Sequence, residues 1–168
     1  MIASQLEIIA QGKQYLLKLT DAQYVKIVKP LFNSSAGAHM RHIIDHYMAV
    51  MDANEAVVNY NVRHRFCDAE KHRGKALEQL TEIETWLAEL SEEQLNHPVS
   101  VISEISISSQ QDFAGNSTLG RELVFVSSHA VHHYFTLKLI AKSQGIQLDE
   151  SFGLAPATAS FQRGELTG

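Results

Sequence analysis

His129 and His133 stand four residues apart in Ser127 to Ile140, SSHAVHHYFTLKLI, a segment whose apolar spacing predicts a helix. At 3.6 residues per turn, such a pair differs by only about 40° in direction, so both imidazoles project from one face and can hold one metal ion. A ferritin-type di-iron site needs a carboxylate three residues before a ligand histidine, and an HExxH protease needs glutamate directly after the first histidine. Ala130 occupies the glutamate position, and no Asp or Glu stands three residues before any of the nine histidines. Two histidines are an incomplete site, so a third ligand is expected from Ala38 to Tyr47, AHMRHIIDHY. There His39, His42 and His46 recur at i, i+3 and i+7, within an arc of about 60° on a helix. His132 lies about 60° from His129 and about 100° from His133, which keeps it off the same ion.

These residues need helices to carry them. Residues 2–18 show a helical period weakened at Gly12, and a connector with turns at Thr20 to Gln23 and Lys29-Pro30 follows. Asn33-Ser34-Ser35 supplies N-cap residues for a second helix from about Ala36 to Ala53, where Met40, Met48 and Met51 read as core filler. Asn54 to Phe66 has no sustained period and reads as a surface crossing, after which Cys67 or Asp68 caps a third helix from about Ala69 to Leu90. Val99 to Ser108 alternates as a strand, with a short return strand near Asp112 to Ala114. Gly115 to Thr118 reads as a break and cap before a fourth helix, Leu119 to Ser143, which Gly145 closes. The first part of the tail is expected to pack back, with Arg163 to Gly168 loose. The expectation is one mainly all-α domain over residues 1–168, a four-helix bundle with a small β-hairpin before the last helix.

Composition narrows the function. A net charge of −5, with scattered basic residues, argues against a nucleic-acid partner. The lone Cys67 excludes an intramolecular disulfide and reads as a buried or capping residue. No apolar run reaches membrane-spanning length, and the N-terminus lacks signal-peptide features, so a cytoplasmic protein without membrane contact is expected. Asp45 and Tyr134 read as solvated or packing groups, and Glu122 as a charge suited to the first turn of its helix.

GAHMRHIIDHY in the second helix and STLGRELVFVSSHAVHHYF in the fourth together resemble the DinB-like (DNA-damage-inducible, YfiT-like) superfamily of metal-dependent bundles, in order over nearly the whole chain. The resemblance implies a three-ligand divalent-metal site formed by His42, His129 and His133. It also implies an enzyme acting on a small-molecule substrate: a thiol-dependent S-transferase using a low-molecular-weight thiol, or a hydrolase. The alternatives are a metal-binding stress or sensor protein without turnover and a structural bundle. Three neutral imidazoles suit zinc or nickel and also accommodate iron(II), and three protein ligands leave a coordination position open. Wide apolar stripes on the second and third helices, with the resemblance, predict a homodimer.

Overall fold

The computed structural model describes residues 1–53, 56–65 and 67–165. Asn54 and Phe66, at the ends of the expected surface crossing, and 166–168 of the expected loose tail lie outside the described residues. Four long helices form the frame: α1 (Ile2–Lys18), α3 (Ala36–Met51), α5 (Arg73–Glu89) and α6 (Leu119–Ser143). Helix α1 packs on α5, α5 on α3, α3 on α6 and α6 on α1, which closes a four-helix ring around the core. Each contributes its apolar stripe: Ile9, Tyr15 and Leu16; Met40, Ile43, Ile44 and Tyr47; Ala76, Leu80, Ile83 and Leu87; Leu123, Val126, Tyr134, Leu137 and Ile140. Fully burying each large aliphatic side chain contributes roughly 1.5–3 kcal/mol.

Gly12 does not break α1. A Cβ there would come within 2.5 Å of Tyr134 Oη, and the bare backbone lets Tyr134 donate to Ile8 O at 3.0 Å. Helix α3 starts where the cap signals place it, with Ser35 Oγ accepting from Ala38 N at 3.1 Å. A buried glutamine ties the two histidine-bearing helices together: Tyr47 Oη of α3 donates to Gln5 Oε1, and Gln5 Nε2 donates to Ser127 Oγ of α6, both at 3.2 Å.

Several expectations are corrected. Thr20 to Gln23 is no mere turn: Thr20 and Gln23 form a reciprocal capping box that starts the short helix α2 (Asp21–Val25). The third helix is interrupted at His72, whose extended φ of −123° separates α4 (Asp68–Lys71) from α5. Arg73 then fastens the start of α5 to α1 and α2 by donating to Leu16 O at 3.0 Å and to Asp21 Oδ1 at 3.1 Å. The hairpin is present as β2 (Pro98–Glu104) paired antiparallel with β3 (Asp112–Thr118), but a further strand, β1 (Val57–Asn59), runs parallel to β2 with Val57 opposite Ser100. The sheet is therefore three-stranded, in the order β1-β2-β3. Gly115 to Asn116, read as a break, continues β3; Gly115 sits in the strand because the Phe113 ring lies over it. Pro156 opens a helix in the tail, α7 (Pro156–Gln162), at the first helical positions where its missing N–H is harmless.

Candidate metal centre

Helices α3 and α6 lie side by side, and their facing surfaces carry five histidines. One ring nitrogen from each of His42, His129 and His133 lies within 4.8 Å of the others. His42 Nε2 stands 2.9 Å from His129 Nε2. His132 is exposed and turned aside, with its ring 5.6 Å from that of His133. His39 and His46 flank the trio on α3 without entering it.

Hydrogen bonds fix what the flanking histidines do. His39 Nδ1 lies 3.0 Å from His133 Nδ1, and His39 Nε2 lies 2.8 Å from Ser34 Oγ. With the His133 Nε2 lone pair free for a metal, its Nδ1–H donates to His39 Nδ1, and His39 Nε2–H donates to Ser34 Oγ. Such a hydrogen bond has the form of the outer bond by which ligating imidazoles are oriented and their tautomer selected. His46 Nδ1 lies 2.9 Å from His42 O, an atom that can only accept, so His46 carries its proton on Nδ1. That proton leaves Arg63, 3.4 Å from the same nitrogen, as a neighbouring charge rather than a donor to it.

Burial keeps these rings neutral. His42 is pushed down to about 2 by desolvation, then by His46, His133, Arg63 and His129. His133 is lowered to about 3 by burial and by the surrounding histidines, and His46 to about 4 by burial and His129. His39 and His129 are lowered too, chiefly by burial. Deprotonated imidazole is the ligating form, so the cluster is ready for a cation at neutral pH.

The surroundings correct two sequence readings. Asp45 is not solvated: it is buried, accepts from Arg41 one turn earlier and lies 2.9 Å from His64 Nδ1, while Arg41 Nε reaches Glu70 at 2.9 Å. Glu122 is more than a dipole partner: it is buried and accepts from Tyr60 Oη at 2.7 Å and Ser117 Oγ at 2.6 Å. Burial and this bond push the Tyr60 hydroxyl pKa up. Tyr134 is a packing residue, buried between α6 and α1 and stacked on Phe152. Cys67 is half-buried at the cap position of α4 and makes no side-chain cap bond. Tyr60 and Phe125 wall the cluster, with Tyr60 stacked on His46 at 5.4 Å and Phe125 on His129 at 6.0 Å. Sequence reasoning missed this wall because Tyr60 sits in an aperiodic stretch far from α6.

The donor set fits a divalent transition metal. Two nitrogens on one ion at about 2.0–2.1 Å stand about 2.9–3.4 Å apart for angles between octahedral and tetrahedral. The 2.9 Å between His42 and His129 falls in that range. Among known proteins, a family model of the DinB superfamily matches residues 11–137. The chain belongs to the DinB superfamily. A DinB-like protein of Bacillus subtilis, YjoA, has a similar fold, with a TM-score of 0.57 at 17% identity over 88% of this chain and 93% of that one. A Rhizopus delemar protein named FK506-binding protein 5 is 36% identical over 102 residues, 61% of this chain. This DinB chain matches only 26% of that protein's length. No helix among the described residues is long and apolar enough to cross a membrane.

Proposed function

We propose that the chain is a divalent-metal-dependent enzyme whose ion is held by His42, His129 and His133, with zinc or nickel as the favoured metals. The observation that carries this reading is the convergence of three neutral imidazoles from two helices within 4.8 Å. Imidazole donors accommodate zinc, nickel and iron(II), and carboxylates, which would favour magnesium or calcium, are absent from the group. A bound ion supplies Lewis acidity, through which a water or thiol deprotonates near neutral pH. The protein's part is to hold the three rings and fix the His133 tautomer through His39 and Ser34, with His46 held beside them by its bond to the His42 carbonyl.

An open coordination position favours catalysis over a closed sensor site. Support comes from the group's having three members and from hydrogen bonds occupying both nitrogens of His39. The reaction classes proposed are thiol-dependent S-transfer, with a low-molecular-weight thiol as co-substrate, and hydrolysis, in a homodimeric protein. Cobalt-loaded protein titrated with a low-molecular-weight thiol separates the cases. A new sulfur-to-cobalt charge-transfer band supports an accessible position and a thiol role. No spectral change with thiol, azide or hydroxide would mean a closed site and would remove the catalytic reading.

A further inference from the structure

Beyond the histidines, the sheet and the first turns of α6 enclose a cavity of about 390 Å³. The pairing register builds one wall. Val101 faces Gly115 and Ser103 faces Phe113, so these residues share the sheet face that looks toward α6. Opposite Val101, Gly115 contributes no side chain, and the Phe113 ring folds over it so closely that a Cβ at 115 would come within 2.5 Å of Phe113 Cζ. The other wall is Tyr60, Phe125, Arg121 and Glu122. Phe113 and Phe125 remain 54% and 37% exposed although both line a concave surface, which leaves aromatic carbon uncovered inside the cavity.

The polar groups are unequal. Arg121 lies 6.0 Å from the centre of the Phe125 ring and makes no ion pair among the described residues. Glu122 is 6% exposed, and each of its oxygens is engaged by a hydroxyl. A guanidinium without an ion pair recruits a single carboxylate by paired hydrogen bonds. The buried Glu122 carboxylate disfavours a second anion beside it. The two exposed aromatic rings, Phe113 and Phe125, offer stacking and edge contacts to a planar ring. We infer that this cavity binds a small aromatic monocarboxylate, with its ring against Phe113 and Phe125 and its carboxylate on Arg121. The Tyr60–Phe125 wall separates this ligand from His46 and His129. The site stands independently of whether the histidines hold a metal.

The test is a titration of the full isotopically labelled chain with naphthoate, its neutral analogue naphthylmethanol and a naphthalene dicarboxylate, followed by amide resonances. It is run on zinc-loaded wild type and on His133→Ala. Expected are saturable shifts centred on Gly115, Asn116 and Phe125 with a Kd of about 1 mM or tighter. Binding should be equal in the two proteins and weaker for the dicarboxylate. Arg121→Gln, at an exposed position, should weaken naphthoate about tenfold and leave naphthylmethanol within about twofold. Absence of saturable shifts at these residues would overturn the inference. So would an equal effect of Arg121→Gln on both ligands, or naphthoate binding only when zinc is loaded, which would place the ligand on the metal instead.

Discussion

His39→Ala separates a residue that positions a ligand from one that binds the metal. The substitution removes the acceptor 3.0 Å from His133 Nδ1 and strands Ser34 Oγ, but it leaves His42, His129 and His133 in place. Loss of such an outer hydrogen bond typically lowers metal affinity about 10–100-fold, which corresponds to about 1.4–2.7 kcal/mol. Structural zinc sites with four ligands bind with about 10–16 kcal/mol, so removal of a whole ligand by His133→Ala costs on the order of 2.5–4 kcal/mol. Zinc affinity is measured by competition with a chromogenic chelator for wild type, His39→Ala, His39→Gln and His133→Ala. His39→Ala should fall between wild type and His133→Ala. His39→Gln, whose amide oxygen can accept from His133, should recover part of the loss. Affinity within about twofold of wild type in His39→Ala would refute the orienting role, because the expected loss is at least about tenfold. A loss as large as that of His133→Ala would make His39 a ligand.

Other consequences are open to direct measurement. The metal-free protein should lose stability as pH falls: His42, His46 and His133 titrate well below their unfolded value of about 6.5. The unfolded chain therefore takes up more protons in the window from about 6.5 downward. Chemical denaturation across that window should show a midpoint that drops toward acid, and a flat profile would contradict neutral burial of the rings. Glu122→Ala leaves the Tyr60 and Ser117 hydroxyls without their acceptor and should destabilise by about 2–4 kcal/mol. Denaturant midpoints within error of wild type would contradict the buried bridge. Gly12→Val drives a side chain into Tyr134 Oη and should cost about 1–3 kcal/mol. Wild-type stability in that variant would show that α1 and α6 can separate freely. Sedimentation at micromolar concentration should give a dimer, and a single species of 18.7 kDa would remove that expectation.

The long helices are legible in sequence because burial stripes and end signals coincide. Thr118 caps α6 and Gly145, at φ 75°, follows its end, so Leu119 to Ser143 is readable at both boundaries. The His129–His133 pair is legible for the same reason, since four-residue spacing on a certain helix fixes a shared face. The third histidine is harder. His39, His42 and His46 share one face of α3, and only the placement of α3 against α6 brings His42 opposite the pair, leaving His39 behind His133 and His46 against Tyr60. Strand β1 carries no usable period in three residues, and its burial comes from a parallel partner more than forty residues later. The Tyr60–Glu122 bond is equally non-local, so neither residue's own neighbourhood announces it.

Metal content decides whether the three histidines form a site. Protein prepared without an affinity tag, as wild type, His42→Ala, His133→Ala and His132→Ala, is analysed for metal per chain near neutral pH and again in acid well below the imidazole range. About one divalent transition-metal ion per wild-type chain is expected, with near-complete retention in His132→Ala and loss of most of it in His42→Ala, in His133→Ala and in acid. Equal metal content in wild type and His133→Ala would remove His133 from the metal and the three-histidine site with it.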